Sequence, residues 1–381
     1  GPNVNGFEED LKSFVGENKE VVALSSGTSA VHLALVDVGV MPGDEVICQS
    51  FTFCASSHPV TYLGATPVFV DSEKDSWNMD PALLKEAIKD RIAKTGKKPK
   101  AIILVYLYGM PAKINEIMAV AREYEIPVIE DAAEGLGSKY AGRVCGTFGR
   151  YGVLSFNGNK MITTSGGGAL VCPDKEAKDR VMFYATQARE SYPYYQHEKI
   201  GYNYRLSNVC AGIGRGQMTV LEEHISHHHK IAKIYAGAFE HCESISFHKN
   251  WGDKCDSNFW LSTITLSPEL HVAGEENAYG SVVSGAVGGA AGTVHRSCNA
   301  HTDCEPNRNV EAMRMALDEA NIESRPLWKP MHLQPVYKDA PAYVNGVSES
   351  LFKTGLCLPS GPCVSVDDAI YITEKIMSFC K

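Results

Sequence analysis

The sequence predicts an α/β protein: a mostly parallel sheet of seven strands covered by helices on both faces, followed by a smaller α+β domain. Three observations carry this prediction. Short β-branched runs recur between longer segments of helical character. The runs are apolar almost throughout, which suits strands buried on both faces, and the pattern changes after Leu206. The runs are Val21–Ser25, Glu45–Ser50, Pro67–Asp71, Ala101–Val105, Pro127–Asp131, Gly152–Phe156 and Gly168–Cys172. Segments such as Pro81–Thr95 and Ile114–Tyr124 are long enough to cross between parallel strands.

Beyond Leu206 the sequence predicts one long helical stretch through Tyr235, then a strand at Phe259–Leu266 and a helix at Val310–Asn321. Residues 1–235 are therefore expected to form the large domain and 236–381 the smaller one. Gly280–Gly292, rich in Gly, Ala, Ser and Val, has neither a helical nor a strand period and reads as part of a long loop or insertion within 268–306. No internal repeat is visible.

With 381 residues, 44% of them apolar, the chain can build more than one core. The net charge of −9 is spread over short stretches of both signs, which argues against nucleic acid or a membrane surface as a partner. No run approaches the roughly 18 to 20 apolar residues of a bilayer span, and residues 1–10 lack a signal-peptide pattern. The cytoplasm is the expected compartment. The abrupt opening on Gly1 and Pro2 leaves room for an N-terminal piece ahead of it. The twelve cysteines are scattered, some inside apolar runs, and are expected to be mostly free thiols.

In open α/β sheets ligands bind beyond the carboxyl ends of the strands, so the polar residues there are the candidates for chemistry. The first strand runs into Ser25-Ser26-Gly27-Thr28-Ser29 and then a helix, which makes either an anion cradle or an ordinary N-cap. The fifth ends on Asp131. That carboxylate is either a solvated cap or the partner that keeps a pyridine nitrogen protonated, as the cofactor pyridoxal phosphate requires. The sixth leads through Ser155 to Lys160 in a Gly/Asn turn. A lysine there is either a surface residue or, when partly desolvated, an amine able to join a carbonyl cofactor, with Ser155 within reach of the cofactor phosphate. Two clusters point elsewhere. His295, Cys298, His301 and Cys304 recur every three residues but lack the separated pairs of a zinc motif, so no metal is expected. His227, His228 and His229 are expected on a solvated helix face.

The blocks SSGTSAVHLAL, PGDEVICQSFTFCAS, GATPVFVD, VIEDAAEGLGSKY, GVLSFNGNK, GGGALV, GYNYRLSNV and SRPLWKPMH stand in an order that resembles the DegT/DnrJ/EryC1/StrS sugar aminotransferases, from Ser25 to Ser360. The resemblance implies the aspartate-aminotransferase-like type I fold with pyridoxal phosphate joined to Lys160. It implies that Asp131 faces the ring nitrogen, that Thr28, Ser29 and Ser155 hold the phosphate, and that Phe53 stacks on the ring. Asn203 matches an asparagine that reaches the phosphate from a second subunit, which implies a homodimer. Glu134 stands where many members carry His or Gln against the ring hydroxyl. With SRPLWKPMH it resembles the branch acting on UDP-linked 4-keto-6-deoxy-N-acetylhexosamines, with L-glutamate as amino donor. Arg325, Trp328, Lys329 and His332 suit a nucleotide diphosphate, or else a domain or subunit interface. Rival readings are a dTDP-sugar aminotransferase, a sugar dehydratase of the same scaffold, against which Lys160 argues because that branch carries histidine there, and a non-catalytic regulator.

Overall fold

The computed structural model describes residues 1–16, 18–278 and 304–380. All seven predicted strand runs lie in one sheet: β1 (Glu20–Leu24), β2 (Glu45–Gln49), β3 (Thr66–Val70), β4 (Ala101–Val105), β5 (Val128–Asp131), β6 (Tyr151–Ser155) and β7 (Gly168–Cys172). The later part of the chain adds β8 (Ile245–Phe247), β9 (Ser262–Leu266), β10 (Arg325–Pro326), β11 (Ala342–Tyr343) and β12 (Gly355–Leu358), all but β11 forming a second sheet. The large sheet has eight strands in the order β1-β7-β6-β5-β4-β2-β3-β11, because the two-residue β11 pairs in parallel with the β3 edge. Only β7 runs against its neighbours, pairing antiparallel with both β1 and β6. Its chain direction brings the β6–β7 connection, which holds Lys160, to the carboxyl edge of the sheet.

The helices that position the site are α1 (Pro2–Val15), α2 (Gly27–Asp37), α3 (Pro81–Thr95), α4 (Ile114–Glu123), α5 (Lys175–Ala185), α6 (Asn208–Met218), α7 (Leu221–Phe239), α8 (Arg308–Glu319) and α9 (Val366–Phe379). Alternate residues of each strand serve opposite cores, as the two-residue period of a pleated strand requires. Ile47 and Ile102 pack with α1, α3 and α4, whereas Val46, Cys48 and Ile103 pack with α2 and α5. A third core lies in the smaller domain, where Ile264 and Leu356 of the four-stranded sheet β8-β9-β12-β10 meet Leu317 of α8 and Ile372 and Ile376 of α9.

The single helix expected over Leu206–Tyr235 is two, broken at Thr219 and Val220, where Thr219 turns its N–H and hydroxyl back onto the Gly216 carbonyl. The second helix passes from one core to another: Leu221 and Ile225 join the large domain's packing, while Ile231, Tyr235 and Phe239 join the third core. The histidine row is therefore not a solvated face. His228 is 2% exposed and bonds through Nδ1 to the Phe259 carbonyl at 2.9 Å, because a helix packed between two bodies turns inward on that side. Burial lowers the His228 pKa to about 4.

Among the described residues every cysteine is a free thiol and no group of His, Cys, Asp or Glu could hold a metal ion. No helix among them is long and apolar enough to cross a membrane. Gly280–Gly292, His295, Cys298 and His301 lie outside the described residues; Cys304 lies within them and is buried.

Candidate active site

The carboxyl edge of the large sheet gathers the first set of residues. Ser26 caps α2 by accepting the Ser29 N–H at 3.0 Å, and the Ser29 hydroxyl lies 3.0 Å from that of Ser25 and 2.8 Å from that of Ser26. The N–H groups of Gly27 and Thr28 occupy the open first turn, where a helix lacks intrahelical acceptors and favours an anion. Two glycines bring this turn against its neighbours. A Cβ on Gly168 would lie 2.4 Å from the Gly27 nitrogen, and one on Gly27 would lie 3.1 Å from the Ser155 Cβ. The first turn of α2, in which Thr28 stands, and the clustered Ser25, Ser26 and Ser29 hydroxyls thus lie beside Ser155.

Asp131 ends β5, buried. It accepts the Ser56 hydroxyl at 2.6 Å and the Ala133 N–H at 3.2 Å. Burial pushes its pKa up, against the Ser56 and Ala133 bonds and the Lys160 charge, so the pocket around it favours the arrival of a further cation. Ser56 stood unassigned within the FTFCAS block. Its hydroxyl is held in turn by Thr52 at 2.8 Å.

Lys160 sits on the β6–β7 connection, which Phe156 closes by donating to the Gly167 carbonyl while Thr164 donates to that of Phe156. Its side chain is 12% exposed, and Nζ lies 3.5 Å from Glu134 Oε1 and 4.1 Å from the centre of the Trp260 ring. Glu134 takes the Tyr108 N–H on its other oxygen at 2.7 Å. Burial, opposed chiefly by the Lys160 charge, raises its pKa to about 7, so near neutrality this carboxyl can carry a proton.

The segment just before β9 supplies residues that no motif announced. The segment predicted to open the strand Phe259–Leu266 is instead a clamp, with β9 beginning only at Ser262. Asn258, wholly buried, donates to the carbonyls of Glu134 at 2.8 Å and Leu136 at 2.9 Å and accepts the Trp260 N–H at 2.9 Å. Phe259 takes a left-handed φ of 47°, and Trp260 donates its indole N–H to the Asn159 carbonyl at 2.7 Å. A strand period hides such a clamp, since Phe-Trp-Leu reads as sheet core.

The structure brings some of the SRPLWKPMH residues to this site. Trp328 packs near Phe53, Tyr108 and Trp260 at ring separations of 5.5, 5.1 and 6.3 Å, and its N–H bonds to the Tyr108 hydroxyl. Phe53 is 53% exposed, so that much of its ring remains uncovered beside Trp328. His332 bonds through Nδ1 to Ser50 at the end of β2 at 2.6 Å, and burial lowers its pKa. Lys329 reaches the Cys304 carbonyl at 2.9 Å, and Arg325 is exposed and paired with Glu323. Asn203 stands apart within one chain, exposed, accepting from Gln187 at 3.1 Å.

A helix first turn lined by hydroxyls, a carboxyl whose pKa burial raises, an exposed aromatic ring and a partly buried amine form a set that pyridoxal phosphate fits. The family model for DegT/DnrJ/EryC1/StrS aminotransferases matches residues 1–277 and 291–377. The chain is 43% identical to the putative pyridoxal phosphate-dependent aminotransferase EpsN of Bacillus subtilis over 99% of this chain and 88% of that protein. It is 35% identical to the GDP-perosamine synthase of Escherichia coli O157:H7 over 93% and 84% of the two chains. The fold superposes with a TM-score of 0.83 on a DegT DnrJ EryC1 StrS aminotransferase from Brucella abortus, 30% identical, covering 100% of this chain and 90% of that one. The chain belongs to the DegT/DnrJ/EryC1/StrS aminotransferase family, whose members work with pyridoxal phosphate.

Proposed function

We propose that this protein transfers the amino group of L-glutamate to C4 of a nucleotide-linked 4-keto-6-deoxy sugar, a UDP-linked N-acetylhexosamine. The observation that carries the aminotransferase reading is Lys160 held beside Glu134, on the same sheet edge as the buried Asp131. When bound, pyridoxal phosphate supplies an aldehyde and a protonated ring that accepts electron density from an amino acid Cα. Lys160 anchors the cofactor and, once freed, moves the proton of the glutamate Cα. Asp131, pushed by burial toward needing a cation, keeps the ring nitrogen protonated. Thr28, Ser29 and Ser155 hold the phosphate against the first turn of α2, and Phe53 offers its face to the ring. Glu134 meets the ring hydroxyl with a carboxyl able to donate or accept near neutral pH.

Arg325, Trp328, Lys329 and His332 are assigned to the nucleotide sugar, with Trp328 on the aromatic wall as the contact best supported. The working form is a homodimer in which Asn203 completes the partner's phosphate site. Its support is the exposed apolar side chains that flank Asn203 in sequence, Tyr195, Ile200 and Val209 being 77, 87 and 75% exposed. Sedimentation of the purified protein tests it, and a monomer would remove the role of Asn203.

A GDP-linked sugar is the second reading, favoured by the likeness to GDP-perosamine synthase. NMR of the products after incubation with glutamate and either UDP-4-keto-6-deoxy-N-acetylglucosamine or the GDP-linked counterpart separates the two. An amino sugar formed only from the GDP substrate rejects the UDP assignment.

A further inference from the structure

Trp260 is buried, stands just ahead of β9 in the core of the large sheet, and presents its ring face to the one amine on which the proposed chemistry turns. Three contacts hold the ring in register with that amine. Its indole N–H is bonded to Asn159, the residue before Lys160, so ring and lysine share one turn. Its own N–H is bonded to Asn258, and the preceding carbonyl of Phe259 accepts from His228. A neighbouring histidine of the same helix, His224, lies 3.1 Å from the carbonyl of Met161, the residue after Lys160. One helix therefore backs both the lysine turn and the tryptophan.

The ammonium in this setting is incompletely satisfied by its carboxylate. Glu134 stands at 3.5 Å, beyond the roughly 2.7 to 2.9 Å of a close charge-assisted bond. The negative face of an indole ring, 4.1 Å away, supplies the remaining stabilisation of a cation that water reaches poorly.

We infer that the Trp260 face is the resting place of the Lys160 ammonium whenever that lysine is not joined to the cofactor, so that Trp260 sets how readily Lys160 lets go. The inference rests on the reading of Lys160 as the cofactor anchor. When Lys160 takes up an aldehyde, its ammonium gives a proton to solvent, a C=N bond forms between Nζ and the aldehyde carbon, and one water leaves. Hydrolysis, which consumes one water, or displacement by another amine releases the Lys160 amine, which takes a proton from solvent and returns charged to the ring. Trp260 stabilises only the free, charged side of this balance and is a positioning residue. Weakening the ring's hold must therefore tighten covalent capture of an aldehyde.

The test replaces Trp260 with tryptophans carrying one to four ring fluorines, introduced at that position alone, because fluorination drains the negative face and leaves the shape and the N–H in place. Pyridoxal phosphate is titrated into the cofactor-free protein, the adduct on Lys160 is fixed with borohydride and counted by mass spectrometry. Half-saturation is expected to fall stepwise with each fluorine, by roughly 2- to 30-fold across the series, and Trp260→Leu should shift it the same way. A series that is flat, or one that drifts toward weaker capture, overturns the inference, and it decides the matter even where Trp260→Leu fails to fold. Wild-type protein that forms no borohydride-stable adduct at Lys160 overturns the anchor reading instead.

Discussion

The carboxyl edge of the large sheet and the clamp at Asn258–Trp260 meet around Lys160, and they are built in opposite ways. At the edge, each side chain that can do chemistry stands within a few residues of the end of its own strand: Ser26 after β1, Asp131 on β5, Ser155 on β6. Polar residues there answer to a ligand. In the clamp the polar groups answer to the chain itself, since Asn258 spends its amide on two buried carbonyls and the Trp260 N–H. Chemistry is concentrated on one secondary-structure layer and its alignment is delegated to another.

The sharpest break in that comparison is Lys160→Ala, which should lower turnover by roughly 10⁴-fold, read as 2-oxoglutarate release from glutamate. A variant with normal turnover would remove the edge from the chemistry altogether. Asp131→Asn comes next, with a loss on the order of 10² to 10³ in kcat and weaker cofactor retention, because the buried charge proposed to hold the ring nitrogen protonated disappears while the shape stays. Asn258→Ala should act on the fold first. It leaves the Glu134 and Leu136 carbonyls buried without their donor, at about 1 to 3 kcal/mol each, visible in urea unfolding. A loss of turnover without loss of stability would move Asn258 from alignment to chemistry.

Glu134→Gln sharpens the boundary between the two regions. The folded chain holds the Glu134 proton up to about pH 7, whereas the unfolded chain releases it near the ordinary value of 4.5. Between those values the unfolded state binds fewer protons, so this group's contribution to stability is present below the window and is lost as pH rises through it. The variant should lose less stability than wild type over the same range, and parallel pH profiles would refute the raised value. The smallest effect is expected at Arg325, exposed and paired with Glu323: Arg325→Ala should change stability by less than about 1 kcal/mol. Its assigned role would show only as a higher KM for the nucleotide sugar.

The edge was legible because its signals are local. Hydroxyls and glycines after a buried run, an acid closing a strand and a lysine in a polar turn are each ambiguous, but their fixed order within matching blocks is not. The clamp was illegible because its meaning is entirely long-range. Asn258 becomes informative only when β9 lies near the turn after Asp131, and Gly109 only when a Cβ there is seen to fall 1.9 Å from the Asn258 amide oxygen. The histidine row on α7 went the same way: from sequence it is three polar residues on a helix, and only the packing of that helix between two bodies buries His228.

The two-residue strand β11 has a consequence for how the chain is made. It covers the outer edge of β3, where Phe69 N–H bonds to the Pro341 carbonyl and the Asp71 carboxylate takes the N–H groups of Gly346 and Ser348. The cover is synthesised about 270 residues after the edge it protects. At roughly 5 to 20 residues per second, β3 waits on the ribosome for something like 15 to 55 s with its ladder open on one side. A nascent sheet with that exposure is open to strand addition from other chains, and the interval ends only when residues near 345 clear the exit tunnel. Slow codons or pauses placed before that point would lengthen the interval, so soluble yield should respond to translation speed in this stretch more than to the stability of the finished fold.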